Sequence, residues 1–423
     1  MPDAPKIPNH KPSPTLPALI SAAIAAAMFS WLAIIGAGCG PGLGAVRVTA
    51  TATPSGSPTG TPTPGALSGD VLIAGGIDST NNAVAMAEVY DPSSGTFSNS
   101  GSMNTARAFH TATVLNNGTI LLTGGQNAAG TPLQSAEIYN QSNQLFHAVG
   151  KMVAARTLQT ATLLNSGQVL IAGGVGSSGI PLTSAELYNP STGKFTAISS
   201  PMNFKRAAHT ATLLSNGQVL IAGGFSNASR TTVQNTAELY DPTSQTFTTI
   251  TNLMLAGRFF DQAQLFSGGT LGGDVLLAGG HDNSVVTATA ELYNPTSNNF
   301  TTAGLMTITR MQFASAIIQN GQILLCGGLT NAGVVTPTAE IYTPGGVFSP
   351  TGNMTDSRRF HTATFFPSGP QIGLVLVTGG QDSTTVASTV NTAELYDPSL
   401  SMFTPTASTM AISRYGHSAV ILP

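Results

Sequence analysis

The sequence feature that most constrains the fold of this chain is a pair of adjacent glycines that returns every 48 to 56 residues. A period of this length indicates that one supersecondary unit is repeated, and that each unit buries its apolar face against its neighbours. Seven such pairs divide the chain into seven units, and they are Gly75-Gly76, Gly124-Gly125, Gly173-Gly174, Gly223-Gly224, Gly279-Gly280, Gly327-Gly328 and Gly379-Gly380.

Each unit reads as four short strands. In the fourth unit, residues 209–214 are a β-branched and apolar run, and residues 215–217 (Ser-Asn-Gly) are a strong hairpin signal. The apolar run 219–222 ends at the glycine pair, and a polar loop then leads to residues 237–240 and to a short segment around Phe247. Because no run shows helical periodicity, we predict four antiparallel strands in each unit. Such units repeated around an axis form a β-propeller.

The order strand, Gly-Gly, loop, Glu-x-Tyr-Asp-Pro and aromatic residue resembles the kelch motif, and it covers residues 70–423. The resemblance implies an all-β fold, a seven-bladed kelch-type β-propeller with four antiparallel strands in each blade. Kelch repeats usually carry Trp in the outermost strand, whereas this chain uses Phe in every unit. These phenylalanines are Phe97, Phe146, Phe195, Phe247, Phe300, Phe348 and Phe403.

The two ends of the repeat region predict how the ring closes. The first unit begins at Asp70 with the strand that leads to the glycine pair, so it lacks the strand before it. The chain ends with residues 414–422, which read as that missing strand and have no continuation. We therefore expect the C-terminal strand to become the innermost strand of the first blade, which removes an exposed sheet edge.

Residues 1–39 have the features of an export signal, because a basic start precedes an apolar run at 16–35 and small residues before Cys39. The small residues are similar to a bacterial lipobox, and this resemblance implies that Cys39 is lipidated. The alternative is an uncleaved membrane anchor, since about 20 apolar residues suffice to span a bilayer. Residues 40–67 are rich in Thr, Ser, Pro and Gly, which predicts a linker. Both alternatives place the propeller, residues 68–423, outside the cytoplasm at the cell envelope.

Charged residues make up only 8% of the chain, yet one Glu and one Arg recur in every unit. We interpret them as partly buried ion pairs that hold strands or adjacent blades in register, since the planar fork of Arg binds a carboxylate through two hydrogen bonds. The alternative is that the arginines point into the central cavity and bind an acidic ligand, as in some kelch-type adaptor domains. The residues are Glu88, Glu137, Glu186, Glu238, Glu291, Glu340 and Glu394, with Arg107, Arg156, Arg206, Arg258, Arg310, Arg358 or Arg359, and Arg414.

Four units place a histidine shortly after the arginine, and these residues are His110, His209, His361 and His417. Their position predicts a cluster near the axis, which resembles that of copper-radical oxidases of the galactose oxidase type. Those enzymes need two tyrosines, two histidines and a cysteine cross-linked to one tyrosine. Here no tyrosine directly precedes any of the four histidines, and Cys326 fits a small buried hydrophobe in a strand. We therefore predict no catalytic residue, no metal and no cofactor, with a simple metal site from two or more of these histidines as the alternative.

The loops between the second and third strands differ in length and sequence while the framework stays constant, which indicates a binding surface on one face. Phe225, Arg230 and Gln381 are the most distinctive residues of its two longest loops, and the four histidines lie at the same mouth of the ring. The seven loops are 77–86, 126–135, 174–184, 225–236, 281–289, 329–338 and 381–392.

The formal net charge of −3 argues against a nucleic acid partner, which requires a basic surface. We predict a monomeric, non-catalytic, exported binding scaffold that recognises a protein or a glycan at the cell envelope. A lipid or an N-terminal anchor is expected to hold it at the membrane. The alternative is an envelope enzyme that acts on sugars, an oxidase- or mutarotase-like kelch propeller, by analogy of fold alone.

Overall fold

The computed structural model describes residues 68–423. The export signal at 1–39, the linker at 40–67 and the lipidation of Cys39 lie outside the described residues and stay predictions. Within residues 68–423, no helix is long and apolar enough to cross a membrane.

The described chain forms 28 strands in seven antiparallel sheets of four, which are the blades of a propeller. Blade 1 consists of β28 (Ser418–Ile421), β1 (Val71–Ala74), β2 (Met86–Asp91) and β3 (Thr96–Ser102). Blade 2 consists of β4 (Thr111–Val114), β5 (Ile120–Thr123), β6 (Ala136–Asn140) and β7 (Leu145–Ala148), and blade 3 of β8 (Thr160–Leu163), β9 (Val169–Ala172), β10 (Ala185–Asn189) and β11 (Lys194–Ala197). Blade 4 consists of β12 (Thr210–Leu213), β13 (Val219–Ala222), β14 (Ala237–Asp241) and β15 (Thr246–Thr249).

Blades 5 to 7 have the same composition and follow in chain order. Blade 5 consists of β16 (Gln262–Leu265), β17 (Val275–Ala278), β18 (Thr289–Asn294) and β19 (Asn299–Leu305). Blade 6 consists of β20 (Ala314–Ile317), β21 (Ile323–Cys326), β22 (Ala339–Thr343) and β23 (Val347–Pro350). Blade 7 consists of β24 (Thr362–Phe365), β25 (Val375–Thr378), β26 (Ala393–Asp397) and β27 (Met402–Pro405). Three short 3-10 helices interrupt the loops at Gly269–Leu271, Gln319–Gly321 and Val386–Ser388.

Blade 4 shows how the sequence specifies a sheet. Its innermost strand β12 turns into β13 at Gly217, whose φ of +84° glycine adopts without strain. All four residues of β13 are buried, as expected for a strand covered on both faces. Strand β14 pairs with β13 through Val219 and Tyr240 and with β15 through Tyr240 and Phe247. The four antiparallel strands predicted for each repeat are confirmed.

The predicted ring closure is also confirmed. Strand β28 pairs with β1 over four residues, from Val71 opposite Ile421 to Ala74 opposite Ser418. The closure extends past the strand, because the Gly69 N–H donates to the Leu422 carbonyl and the Leu422 N–H donates to the Asp70 carbonyl, both at 2.8 Å. Blade 1 is therefore completed by the last strand of the chain.

The propeller has two different faces. The loop face carries the loops between second and third strands and the connections between consecutive blades. The base is the opposite face, where the described chain enters at Gly69 beside Leu422. Hairpins such as the one at Gly217 also lie at the base, because every innermost strand runs from the loop face toward it.

A ring of main-chain hydrogen bonds closes the loop-face end of the axis, and we call its seven residues the collar. Each collar residue stands just before an innermost strand, has a positive φ of 52° to 62°, and donates its N–H to the carbonyl of the collar residue in the preceding blade at 2.8–3.4 Å. The last bond, from Phe109 to Gly416, completes the circle. The collar residues are Phe109, Leu158, Ala208, Phe260, Gln312, Phe360 and Gly416.

Candidate binding face and axial collar

The seven repeated glutamates each form an ion pair with one arginine, at N–O distances of 2.5–3.1 Å and with side chains at most 2% exposed. The doublet of blade 7 contributes Arg358 to its pair. The pairs are Arg107–Glu137, Arg156–Glu186, Arg206–Glu238, Arg258–Glu291, Arg310–Glu340, Arg358–Glu394 and Arg414–Glu88.

Blade 2 shows what a pair does for the fold. Arg107 lies on the connection that arrives from blade 1, and it donates to Glu137 and to the main-chain carbonyls of Gly124 and Ser135. Glu137 in turn accepts the main-chain N–H of Asn104 on the same connection at 2.7 Å. The pair therefore fastens the connection between two blades to the second and third strands of the next blade. These guanidinium groups are bonded to carboxylates and main-chain carbonyls inside the framework, so they are not available to an acidic ligand in the central cavity.

The four histidines lie between blades and are 6–8% exposed. Each directs Nε2 toward the preceding blade, so that His110 contacts Ser418 Oγ at 2.9 Å and His209 contacts Thr160 Oγ1 at 3.0 Å. Burial lowers the pKa of His110, His209 and His361 to about 3 and lowers that of His417 well below its usual value, so these rings are neutral at physiological pH. The placement of the histidines on a partner-binding face is corrected, because their rings fill gaps in the framework.

The glycine pairs leave the space that these rings need. A Cβ added at Gly75 would stand 2.7 Å from Cε1 of His110, and one added at Gly173 would stand 2.8 Å from Cε1 of His209. At Gly124, Gly279, Gly327 and Gly379 the same space is taken by Gln159, Phe313, His361 and His417, whereas at Gly223 the nearest atoms belong to Arg258. The first glycine of each pair is therefore required by the close approach of the next blade.

Asp261 is the one member of this set that carries a buried carboxyl group. It is 4% exposed, and neither carboxyl oxygen forms a hydrogen bond to another described residue. Desolvation raises the pKa of this carboxyl to about 7, although the charge of Arg258 acts in the opposite direction. The available sequence signal was an acidic residue, Asp261, at the repeat position where four other units carry a histidine.

Of the three residues predicted to contact a partner from the long loops, two are buried and one is half-buried. Phe225 and Gln381 are each 1% exposed, so the prediction that their side chains contact a partner is corrected. Both follow a glycine pair and form short β-bridges with the connection between blades, Phe225 with Ala207 and Gln381 with Arg359, which buries them. Arg230 is half-buried, and its Cζ lies 5.2 Å from the ring centroid of Phe225.

An axial cavity of about 270 Å³ lies at the collar and is lined by collar residues and by the gap-filling residues that follow them. The rings of Phe109 and Phe260 stand edge-on to that of Phe360, with centroids 5.2 and 5.5 Å away. The innermost strands of several blades surround a second space along the axis, with a volume of about 420 Å³. Ser315, Thr364 and Ala419 are among the residues that line it. The collar was not foreseen, because positive φ values at bulky residues have no signature within one repeat.

Comparisons with known proteins agree with this architecture. The kelch motif model matches residues 59–104 and 206–254. No curated protein matches the chain. Among solved structures, YjhT is similar with a TM-score of 0.55 and 14% identity, over 72% of this chain and 98% of that one. A fungal alcohol oxidase of the AA5 family, in complex with copper, is similar with a TM-score of 0.57 and 20% identity, over 73% of this chain and 66% of the oxidase. At these identities the likeness concerns the fold.

The residues of this chain do not fit the copper of that oxidase. Among residues 68–423, no group of three or more His, Cys, Asp or Glu side chains is arranged to hold a metal ion. Cys326 lies 3.5 Å from Nε2 of His361 inside the framework, and burial raises the pKa of its thiol to about 12. Tyr415 directly precedes the collar residue Gly416. It is 1% exposed, and burial raises the pKa of its hydroxyl group. With kelch motifs, seven four-stranded blades and closure by the last strand, the described chain is a seven-bladed kelch-type β-propeller.

Proposed function

We propose that this propeller is a non-catalytic scaffold that binds a protein partner through its loop face. The proposal rests on a difference between the framework, whose polar side chains are bonded to one another, and the loops, which vary from blade to blade. The repeated Arg and Glu side chains and the axial histidines are bonded inside the framework, whereas the loops between second and third strands differ from blade to blade. A rigid repeat scaffold with variable loops on one face is the usual arrangement of a binding protein.

The loops themselves favour a protein partner. Three of them expose a large aliphatic side chain, with Ile180 at 41%, Val285 at 40% and Val334 at 58% exposure. These aliphatic side chains offer apolar area that a protein surface can bury, since the core of a protein interface is more apolar than its rim. Protein binding therefore takes precedence over glycan binding in this proposal.

The loop face is free of the point where the described chain enters the propeller, because Gly69 lies on the base beside Leu422. We propose that the propeller is exported and held at the cell envelope, where a partner can reach the loops.

The test compares the full chain with two matched variants in pull-downs from the native envelope. The loop variant carries Ile180→Ser, Val285→Ser and Val334→Ser, and the base variant replaces the exposed Leu145 and Val347 with Ser. We expect a protein captured by the unchanged chain and by the base variant to be lost with the loop variant. Thermal melting checks that both variants are folded.

Two results would contradict the proposal. Equal capture by the loop variant and the unchanged chain would show that the loop face does not bind the partner. Specific binding to a glycan array or turnover of a sugar by the purified chain would favour the sugar-related alternatives instead. Cell fractionation of the unchanged chain tests the proposed envelope location.

A further inference from the structure

The loops of blades 4, 5 and 6 are bonded to one another across the loop face. The Val233 N–H of the blade 4 loop donates to Oδ1 of Asn283 in the blade 5 loop at 2.8 Å. In the same way, the Val286 N–H of blade 5 donates to Oδ1 of Asn331 in the blade 6 loop at 3.1 Å. Asn331 in turn donates its N–H to Thr309 Oγ1, on the connection between blades 5 and 6, at 2.8 Å. These three loops therefore form one continuous, supported surface.

This series of bonds stops at blade 4 for a chemical reason. Asn227 stands at the same distance after its glycine pair as Asn283 does. The residue of blade 3 equivalent to Val233 is Pro181, since each forms the β-bridge of its loop, and proline has no N–H to donate. Oδ1 of Asn227 accepts the Thr231 N–H of its own loop instead, at 2.9 Å. The surface is therefore confined to one sector of the ring.

Four large aliphatic side chains are exposed on this sector, and we call them the apolar ridge. Val285 and Val334 lie on the loops of blades 5 and 6. Leu255 lies on the connection that leads out of blade 4, and Leu305 ends the outermost strand of blade 5; they are 67% and 66% exposed. Leu305 pairs with Thr289, the last residue of the blade 5 loop, so the strand end and the loop are adjacent.

The framework does not require these side chains. The Leu255 N–H donates to the repeated glutamate of blade 5 at 2.6 Å, and Asn104 and Asn203 make the same main-chain bond in blades 2 and 4. At the position of Val334, directly before the bridge residue of the loop, blade 4 carries Thr232. The repeat therefore accepts polar side chains at both positions. A cluster of exposed apolar groups that the fold does not use indicates a contact surface.

The surface around the ridge carries almost no charge. In the three loops and in the adjoining segments 250–257 and 302–309, the Lys, Arg, Asp or Glu residues are Arg230 and Asp282. Asp282 accepts two main-chain N–H groups of its own loop, and Arg230 is half-buried over the ring of Phe225. A charge of a partner placed against the ridge would lose its hydration without gaining a counter-ion. The complementary surface is therefore one without charge.

Building on the proposed function, we infer that the apolar ridge is the part of the loop face that the protein partner contacts, and that the contacting surface of the partner is apolar and uncharged. The core of a protein interface is depleted in charged residues and more apolar than its rim, as the ridge is relative to the loops around it. Because the bonds between loops already hold the ridge in place, binding costs little ordering of the chain.

The test measures binding of labelled, end-capped peptides to the full chain by fluorescence anisotropy. The probe is a peptide of serine and leucine, and two charged probes carry glutamate or lysine in place of leucine. Vesicles of phosphatidylcholine test whether the ridge binds a lipid surface instead. Leu255→Asn and Val334→Thr introduce residues that other blades carry at these positions, so both variants are expected to fold, which thermal melting checks. Val153→Asn is the matched control, because Val153 occupies the repeat position of Leu255 and is exposed outside the ridge.

We expect the serine–leucine peptide to bind the unchanged chain and Val153→Asn equally, and to bind Leu255→Asn and Val334→Thr about tenfold more weakly. Its affinity should change less than about twofold between about 0.05 and about 0.5 M NaCl, because no ion pair is formed. Failure of the peptide to bind the unchanged chain, preference for a charged peptide, binding of the vesicles, or equal binding by Leu255→Asn and the unchanged chain would each overturn the inference.

The same variants separate this inference from the proposed function on which it rests. If Leu255→Asn and Val334→Thr keep the envelope protein while the loop variant loses it, the inference fails and the proposed function stands. If the loop variant keeps its partner, the proposed function fails, whatever the peptides do.

Discussion

Asp261 makes the stability of this propeller depend on pH in a way that one substitution should remove. Its carboxyl is buried at the start of the innermost strand of blade 5 without a hydrogen bond to another described residue, and desolvation raises its pKa from the usual 3.8 to about 7. Well below pH 3.8 the carboxyl is protonated in both the folded and the unfolded chain, so it has no effect on the free energy of unfolding.

Between about pH 4 and pH 7 the folded chain keeps a proton that the unfolded chain releases, so the free energy of unfolding falls as pH rises. Above the folded pKa the loss is complete and amounts to about 4 kcal/mol, since each pKa unit corresponds to about 1.36 kcal/mol. Asp261→Asn keeps the size of the side chain and removes its charge. We expect it to stabilise the protein by up to about 4 kcal/mol at pH 8 and to have little effect at pH 4.

The assay is urea unfolding of the unchanged chain and Asp261→Asn across pH 4 to pH 8, with Asp382→Asn as the control for an exposed carboxyl on the same face. The difference in unfolding free energy should grow with pH for Asp261→Asn and stay constant for Asp382→Asn. Parallel pH profiles for the unchanged chain and Asp261→Asn would refute the reasoning, because they would mean that the buried carboxyl is already ionised or already solvated at low cost.

Three further perturbations test the framework. Glu137→Gln leaves Arg107 buried without its counter-ion and should cost about 3–5 kcal/mol in urea unfolding, so a loss below 1 kcal/mol, on the order of that for an exposed pair, would contradict a framework role. Ala208→Gly should leave the free energy of unfolding unchanged or raise it, because Ala208 has a φ of +52°. Ala207→Gly, at the neighbouring β-bridge, should lower the free energy of unfolding by about 0.5–1 kcal/mol. Equal losses for the two variants would argue against strain in the collar. Deleting residues 415–423 removes strand β28 and breaks the collar, so we expect no soluble monomer by size-exclusion chromatography, and unchanged thermal melting would disprove the role of closure.

The repeat made much of the framework predictable. The spacing of the glycine pairs predicted the number of blades, and the incomplete first unit predicted which strand closes the ring. The one-to-one recurrence of Arg and Glu suggested ion pairs, and the structure shows Glu137 and its six equivalents bonded to one arginine each. These features follow from local pattern, because alternation and turn residues specify strand pairing within a repeat.

The candidate site was less predictable because burial depends on neighbouring blades. His110 looked like a residue at the mouth, yet its ring enters the space left by Gly75 of the preceding blade. Phe225 looked like a loop residue, yet a bridge to Ala207 buries it. Arg359 looked interchangeable with Arg358, yet only Arg358 reaches Glu394. A single repeat does not contain the surface against which its side chains pack.

The sequence by itself determined that seven equivalent four-stranded units exist and that the two ends of the repeat region share a sheet, since strand periodicity and glycine spacing are encoded within each repeat. Only the tertiary structure decided which polar groups are used up and which remain available. Seven segments distant in sequence meet at the axis, and there the hydrogen-bonded collar imposes positive φ values on six residues other than glycine. The same convergence leaves Asp261 without a partner and Arg359 without a carboxylate, because those environments are formed by several blades together.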